Sequence, residues 1–365
     1  MRVASHARMI ENLIMRLIKA MGVRYNNEAE KTSRKTGRIM HSESPQLTVI
    51  MPVYNASAYL EEAVRSVLAS GVEAVELLCV DDGSIDGSGE MLDAMGAADA
   101  RVRVWHQANA GASAARNAAL QQARGRYVTF VDADDKVSPT YLRTLVETAE
   151  RSGADCVVTG WTRFSDAGDE RPHPIAKAEQ VVERPTARDL ASLPSQMCAR
   201  LYKQSVLQCS GAMFPPGIQY GEDTIFHYCV YPWCRKIVIL PENGYYYRAA
   251  AGSLSAARSE RVVHMADGAE FLAGVYQLKG ADGGALLVHF INHALKRIRS
   301  MAPHQAQQGA TERIRRVLRA NQLEELVAQE LRRRDAAVLQ SILRGGSGLN
   351  AGYYWKRFTR MLRGK

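Results

Sequence analysis

The sequence has no run of about eighteen consecutive apolar residues, the length that a helix needs to cross a lipid bilayer. It shows no signal peptide either, because Arg16 and Lys19 interrupt the only apolar segment near its start. Its six cysteines never form a Cys-x-x-Cys pair, and Cys79 and Cys156 fall inside strand-like runs. We therefore expect a cytoplasmic protein whose cysteines are reduced and buried.

The positive charge of the chain is concentrated at its two ends. Residues 1–46 carry nine basic and four acidic side chains, and residues 311–365 carry thirteen and five, so the rest of the chain contributes −4 to the net charge of +9. A mildly acidic body argues against nucleic acid as a partner. The basic ends suit an anionic membrane surface, and solvated helical faces are the alternative interpretation.

Two further patterns favour peripheral attachment to the inner face of the plasma membrane. Residues 8–21 have the apolar spacing of an amphipathic helix, which could lie in a bilayer interface or dock on the protein itself. Residues 353–365 mix aromatic with basic side chains, as segments at a membrane interface do. Met40 lies just before the first predicted strand and is an alternative start of the chain.

The central part of the chain alternates short apolar runs with helical stripes. Strands are predicted at 47–51, 75–80, 102–105, 127–131 and 156–159, with helices between them. This order predicts an α/β fold with a mainly parallel sheet covered by helices on both faces. Residues 161–195 are predicted as surface structure with a short helix near 186–193, and 258–300 and 311–343 as helices.

Three carboxylates, Asp132, Asp134 and Asp135, directly follow the fourth predicted strand. That strand would end at the carboxyl edge of the sheet, where open α/β folds bind ligands. Carboxylates this close repel one another, which predicts a cation beside them. Hard oxygen ligands suit Mg²⁺ or Mn²⁺ bridging phosphates. A lone Asp-x-Asp, however, is more often a polar turn that caps the following helix.

The ends of the first two strands are also polar. Pro52-Val53-Tyr54-Asn55 offers an aromatic ring and an amide to a nucleotide base and ribose. After the second strand, Asp82 could accept a hydrogen bond from a pyrimidine N–H, and Gly83 would allow close approach of the backbone.

The loop before the next helix can bind an anion. Gly111 and Ser113 lie where a helix begins and would offer backbone N–H groups, while Arg116 could contact a diphosphate or lock an acidic turn. Taken singly, each of these features is more often a turn or a cap. At the ends of successive strands, together with the carboxylates, they predict a nucleotide-diphosphate site with a divalent metal.

Four motifs in this order resemble those of a known family. They are Pro52-Val53-Tyr54-Asn55, Val80-Asp81-Asp82-Gly83-Ser84-Ile85-Asp86-Gly87-Ser88, Gly111-Ala112-Ser113-Ala114-Ala115-Arg116-Asn117 and Val131-Asp132-Ala133-Asp134-Asp135. The sequence resembles family 2 inverting glycosyltransferases of the GT-A fold, strongly over residues 47–160 and more loosely over residues 198–256.

The resemblance implies a nucleotide-sugar donor, such as a UDP-sugar, and a divalent metal, Mn²⁺ or Mg²⁺. It implies that Asp82 binds the uracil and that the residues of the first motif line the nucleotide pocket. Asp132-Ala133-Asp134 is similar to the Asp-x-Asp of the family, with Asp132 and Asp134 as metal ligands. Some members supply a third ligand from a later histidine. His227 and His264 are candidates here, without a supporting motif.

The resemblance also implies a catalytic base in the second half of the chain. The family places this base in a Glu-Asp pair, and Asp223 of Tyr220-Gly221-Glu222-Asp223-Thr224 matches it. Inversion needs one carboxylate to take the proton of the acceptor hydroxyl, and a neighbour such as Glu222 would raise the pKa of Asp223. Without the resemblance, the pair would be interpreted as acidic residues at a helix N-terminus.

Two later segments also resemble family positions. Tyr245-Tyr246-Tyr247-Arg248 and Gly252-Ser253-Leu254-Ser255 could close over the sugar or diphosphate, with Arg248 facing phosphate, or could pack behind the site. Ala249-Ala250-Ala251 departs from the family, in which basic or aromatic residues are common, and this puts a second phosphate contact in doubt.

The sequence thus predicts four regions. They are an amphipathic helix and linker (1–46), a nucleotide-sugar-binding GT-A core (47–160), an acceptor and catalytic-base region (161–256) and a helical basic region (257–365). The predicted function is transfer of a hexose or N-acetylhexosamine to a glycan or lipid-linked acceptor in surface polysaccharide biosynthesis. The alternative is a non-catalytic member of a polysaccharide assembly that binds nucleotide sugar or glycan.

Overall fold

The computed structural model describes residues 45–249, 261–279, 283–302, 304–331 and 333–343. The amphipathic helix predicted at 8–21, the segment Gly252-Ser253-Leu254-Ser255 and the aromatic, basic residues 353–365 lie outside these ranges. Within them, no helix is long and apolar enough to cross a membrane.

An eight-stranded sheet forms the centre of the protein. Its strands are β1 (Leu47–Val53), β2 (Val75–Asp81), β3 (Val102–His106), β4 (Tyr127–Phe130), β6 (Cys156–Val158), β9 (Gln180–Glu183), β10 (Arg200–Lys203) and β11 (Lys236–Ile239). They lie side by side in the order β3-β2-β1-β4-β10-β6-β11-β9. The first four are parallel, β10 runs antiparallel to β4 and β6, and β9 runs antiparallel to β11. The sheet is therefore mainly parallel, as predicted.

Helices cover both faces of this sheet, so its strands consist of nearly continuous apolar residues. Helices α1 (Leu60–Leu68), α2 (Ser88–Ala98), α3 (Ala112–Gln122) and α4 (Tyr141–Ser152) connect the early strands. Alternate residues of one strand belong to different cores: Ile50 packs with the core that contains α3, and Val49 with the core that contains α1 and α4. Both cores consist of fully buried side chains.

A second sheet includes two strands from the region predicted as surface structure. Its strands β5 (Lys136–Val137), β12 (Tyr245–Arg248), β7 (Trp161–Phe164) and β8 (Glu170–His173) lie in that order. The short helix predicted near 186–193 is present at Ala187–Ser192, but the strands β7, β8 and β9 within 161–195 were not predicted. Strand β8 has only exposed side chains, so it lacks the apolar alternation that would reveal a strand.

The later part of the chain is helical, but its helices are shorter than predicted. They are α5 (Ala187–Ser192), α6 (Gln204–Ser210), α7 (Glu222–Val230), α8 (His264–Lys279), α9 (Gly284–Met301), α10 (His304–Ala320), α11 (Glu324–Glu330) and α12 (Arg333–Leu343). The predicted helices at 258–300 and 311–343 are therefore interrupted. Before α9, a Cβ on Gly283 would lie 2.2 Å from the Tyr276 ring, which shows how closely the chain returns on α8. After α10, Gln322 takes a left-handed conformation with φ 54°.

All six cysteines are free thiols, as expected. Five are buried, but Cys209, at the end of α6, is exposed, so the prediction that all six are buried was wrong. Helix α6 has seven residues and covers the sheet with one face only, which leaves Cys209 on the other face.

A buried carboxylate ties β2 to its neighbours at the end of the sheet opposite the polar strand ends. Glu76 accepts hydrogen bonds from the Thr48 hydroxyl (2.7 Å), from Arg103 Nη1 (2.7 Å) and from Arg124 Nε (2.7 Å). Burial alone would raise the pKa of Glu76, but these hydrogen bonds outweigh burial and lower it. The Glu76 carboxylate therefore binds a proton less readily in the folded protein than in the unfolded chain.

Replacing Glu76 with Gln should lower the free energy of unfolding at pH 7 by about 1–3 kcal/mol, because two arginines lose their charged partner. The contribution of a carboxylate with a lowered pKa is complete above the ordinary Glu pKa of about 4.3 and is lost as the pH falls through the folded value. Urea unfolding should thus separate Glu76→Gln from the parent at pH 7 and bring them together once the pH falls below the lowered pKa of Glu76 in the folded protein. The control Glu73→Gln, at an exposed position, should match the parent at both pH values. An equal difference in the free energy of unfolding between Glu76→Gln and the parent at both pH values would show that the charge of Glu76 does not contribute.

Candidate active site

The polar strand ends recognised in the sequence lie at one edge of the sheet. Strands β2, β1 and β4 are adjacent and parallel, so their carboxyl ends emerge side by side. The order β3-β2-β1-β4 reverses direction between β1 and β4, and open α/β sheets bind ligands at such a switch point. The motifs after these strands therefore surround one crevice.

The second motif anchors the loop that leads into α3. Asp82 is 2% exposed, and its carboxylate accepts hydrogen bonds from Gln107 Nε2 (2.7 Å), Ala110 N (2.8 Å) and Gly111 N (2.7 Å). Gly83 has φ 73°, and a Cβ there would lie 2.9 Å from Asn109 N. The Gly111 N–H thus donates to Asp82, and both oxygens of Asp82 already accept hydrogen bonds from the loop. Uracil binding by Asp82 stays a prediction.

The first motif divides between the crevice and the core. Tyr54 is 53% exposed at the rim, and Asn55, with φ 48°, accepts a hydrogen bond from Ile85 N (2.9 Å). Pro52 lies in the strand itself and is partly buried. The side chain of Val53 is buried in the core, as is that of Ala133 in the fourth motif. These two residues can line a nucleotide pocket only through their backbone.

Arg116, in α3, connects the carboxylates of the first half of the chain to those of the second. Its side chain is 7% exposed; Nη2 donates to Asp132 Oδ1 at 2.7 Å, and Nη1 lies 3.9 Å from Asp223 Oδ1. Burial would lower the pKa of Arg116, but Asp132 and Asp223 raise it above its ordinary value. Ser113 lies half-buried one turn earlier in α3. Arg116 therefore locks the acidic turn, which is one of the two roles predicted for it.

The carboxylate turn is supported from behind by the second sheet. Tyr245 OH donates to Asp135 Oδ2 (2.6 Å) and accepts from Asp132 N (3.2 Å), and Arg248 N donates to Asp135 Oδ1 (2.8 Å). Burial, Asp132 and Asp134 raise the pKa of Asp135 well above its usual range, and burial with Asp132 also raises the pKa of Asp134. The turn therefore holds more negative charge than its neighbours neutralise.

Arg248 packs behind the site and does not face the crevice. Its guanidinium pairs with Glu62 and Asp166 and lies between the rings of Tyr59 and Phe164. Of the two roles considered for this segment, the packed arrangement matches these contacts. No local pattern indicated that Tyr245 supports the turn, because its partner Asp135 lies 110 residues earlier.

Asp223 is the second residue of α7 and lies near Arg116. Its Oδ2 accepts from Met197 N (3.2 Å), whereas its buried Oδ1 has no hydrogen-bond partner among the described residues. Burial first, and then Glu222, raise the pKa of Asp223 to about 7, although Arg116 opposes the rise. Gly221, with φ 79°, turns the chain into α7 and thereby brings the pair to this position. A carboxyl with this pKa can exchange a proton near neutral pH.

The carboxylates fit one divalent cation. Asp135 is committed to Tyr245 and Arg248, which leaves Asp132 and Asp134 as the hard oxygen donors, and the raised pKa of Asp134 shows that added positive charge would be stabilising there. Within the described ranges, no three acidic, His or Cys side chains are grouped to hold a metal. A cation at this turn would therefore take its other ligands from phosphate and water, as Mg²⁺ often does.

Neither candidate histidine joins this pair. His227 is buried, accepts from Tyr202 OH at Nδ1 (2.5 Å) and faces the Gln196 carbonyl with Nε2 (2.9 Å), so both ring nitrogens are used. His264 Nδ1 accepts from Gln219 N at 3.3 Å, at the start of α8. The described residues therefore supply no histidine to the carboxylate turn.

A reciprocal amide contact connects α3 to the segment before α7. Asn117 Oδ1 accepts from Phe214 N (2.8 Å), and its Nδ2 donates to Phe214 O (2.9 Å). The Phe214 ring stacks on Phe226 of α7 and lies under the Arg116 guanidinium, 5.4 Å from its Cζ. The role of Asn117 was missed, although it directly follows Arg116 in the third motif.

The chain is similar to several known proteins. The model of the family "Glycosyl transferase family 2" matches residues 48–214. Glycosyltransferase EpsJ of Bacillus subtilis (strain 168) is 32% identical over 58% of this chain and 63% of its own length. Glycosyltransferase GlyG of Streptococcus pneumoniae serotype 4 is 30% identical over 58% of this chain and 73% of its length. The chain thus spans less than two thirds of EpsJ.

A solved structure shares the fold over most of the chain. The crystal structure of S. aureus TarS 1-349 in complex with UDP-GlcNAc superposes with a TM-score of 0.71 at 18% identity. The match covers 86% of this chain and 92% of that one. The fold is accordingly the GT-A fold that the resemblance implied.

Proposed function

The chain belongs to glycosyltransferase family 2, and from this premise we propose that it transfers one sugar, with inversion, from a nucleotide-diphosphate sugar to a glycan or lipid-linked acceptor. We propose a UDP-sugar as the donor, which the UDP-GlcNAc held by the similar TarS structure supports. The transferred sugar is a hexose or an N-acetylhexosamine, and the setting is surface polysaccharide biosynthesis.

The observation that carries this proposal is the unpartnered oxygen of Asp223. Its Oδ1 is buried, accepts no hydrogen bond from the described residues and lies 3.9 Å from Arg116 Nη1. The Asp223 side chain as a whole is 30% exposed, so an acceptor hydroxyl can reach the carboxylate, donate a hydrogen bond to it and give up its proton to it. The hydroxyl oxygen then bonds to the anomeric carbon while the bond from that carbon to the diphosphate breaks, which inverts the configuration.

The remaining residues of the site orient these groups. Arg116 fixes Asp132 and stabilises the ionised form of Asp223, so both carboxylates depend on one cation. The loop anchored on Asp82 and the exposed ring of Tyr54 border the nucleotide side of the crevice. A divalent cation held by Asp132 and Asp134 would stabilise the charge on the departing diphosphate.

Replacing Asp223 with Asn should reduce sugar transfer by at least about a hundredfold, because the amide cannot accept the proton of the acceptor. Donor binding should persist, since Asp132, Asp134 and the Asp82 loop are unchanged. The folded protein raises the pKa of Asp223 above that of the unfolded chain, so the neutral Asn should not lower the free energy of unfolding at pH 8. Transfer assays, donor titration and urea unfolding measure the three quantities. Normal turnover by the variant would remove Asp223 from the mechanism and favour a binding module.

The pH dependence of transfer should report the same carboxyl group. Asp223 must be ionised to act as a base, so kcat/KM should rise with pH up to about 7 and level off above it. Glu222→Gln removes the like charge that raises the pKa of Asp223. The rise of kcat/KM with pH should therefore occur at lower pH in that variant. If the rise of kcat/KM occurred at the same pH in Glu222→Gln as in the parent, it would not report the ionisation of Asp223.

A further inference from the structure

A second cavity lies beside the proposed base. It has a volume of about 330 Å³, within the usual range for ligand pockets. We call it the α7 pocket; it is lined by Thr224 and Tyr228 of α7, the segment 191–196, Trp161 of β7 and His293 of α9. It is separate from the crevice at the strand ends, because none of the four motifs contributes to its lining.

The α7 pocket directly adjoins the group that would take the acceptor proton. Thr224 follows Asp223 in the chain, and Gln196 precedes Met197, whose N–H donates to Asp223 Oδ2. An acceptor hydroxyl that reaches the exposed part of the Asp223 side chain therefore lies one residue from the lining of this cavity. The pocket is placed to hold part of the acceptor.

The lining of the pocket is polar but carries no acidic or basic side chain apart from its two histidines. His227 is neutral, since Nε2 donates to the Gln196 carbonyl and Nδ1 accepts from Tyr202, and burial and Arg200 lower its pKa well below the usual value. Burial, Arg297 and Lys296 lower the pKa of His293 to about 4. The lining itself is therefore uncharged at neutral pH, and three cations lie near it: Arg200, Arg297 and Lys296, of which Lys296 is paired with Asp335.

The strongest of these cations is Arg200. It is 1% exposed, and no carboxylate of the described residues forms an ion pair with it. Its guanidinium donates instead to Tyr231 OH (2.8 Å) and to the carbonyls of Pro194 and Gln196, all of which line the pocket. Buried charges are normally paired, so this positive charge directly behind the pocket wall favours an anion in the cavity.

We propose that the α7 pocket binds an acidic sugar unit of the acceptor, one that carries a carboxylate or a phosphate. This inference rests on the proposed function and names the class of acceptor. Trp161, stacked on His173 at 5.2 Å, gives the sugar a flat apolar wall. Hydroxyl and amide groups of Ser195, Gln196 and Thr224 border the cavity and can donate to the acidic group. The field of Arg200 selects acidic sugars over neutral ones of the same size.

Calorimetric titration of the full chain without a nucleotide sugar tests the pocket directly. Glucuronate, glucose 6-phosphate and glucose are the three probes; the first two distinguish a carboxylate from a phosphate, and glucose is the neutral match. At least one acidic probe should bind about tenfold or more tightly than glucose. Equal affinity for all three probes, or no binding by either acidic probe, would overturn the proposal.

Gln196→Glu places a negative charge in the pocket at an exposed position, so it should fold normally. It should weaken the acidic probe about tenfold and leave glucose unchanged. Gln121→Glu adds the same charge at an exposed position of α3 that does not line the pocket, and it should behave as the parent. Unchanged acidic binding in Gln196→Glu would show that the anion binds elsewhere. These titrations measure binding and need no sugar transfer. A failure of the pocket proposal would therefore appear in the titrations, whereas a failure of the base assignment would appear in the transfer assay of Asp223→Asn.

Discussion

The site depends on one buried cation that two distant carboxylates share. Arg116 holds Asp132, sixteen residues later, and approaches Asp223 in a part of the chain that folds onto the other side of the crevice. Arg116 itself is buried, so replacing it would leave both carboxylates without their shared cation. The positions of Asp132 and Asp223 are therefore fixed together.

The surrounding structure fits this constraint. Asn117 and the Phe214 ring connect α3 to α7, so the helix that carries Arg116 and the helix that carries Asp223 share an aromatic contact. On the opposite side, Tyr245 and Arg248 of the second sheet fix Asp135 and leave Asp134 with a raised pKa. The two halves of the chain thus contribute complementary parts: the first supplies Arg116 and the carboxylate turn, and the second supplies the proposed base and the support.

Local sequence patterns predicted the parallel strands and the motifs at their ends, because strands buried on both faces appear as apolar runs of the right length. They failed where structure depends on distant partners. Strand β8 is exposed on both faces. The break between α8 and α9 was missed although Gly280, Gly283 and Gly284 mark it in the sequence. Likewise, Asp132, Asp134, Arg116 and Asp223 were recognised as site residues, whereas Tyr245 and Asn117 act through partners about a hundred residues away.

Metal-dependent sugar transfer at Asp132 and Asp134 can be tested by nucleotide release from a panel of UDP-, GDP- and dTDP-sugars, with Mn²⁺ or Mg²⁺ and again with EDTA. We expect release of UDP from one UDP-sugar, dependent on the metal and lost in Asp134→Asn. Equal release with metal and with EDTA would contradict it, because the charge on the carboxylate turn of Asp132 and Asp134 would then serve no cation.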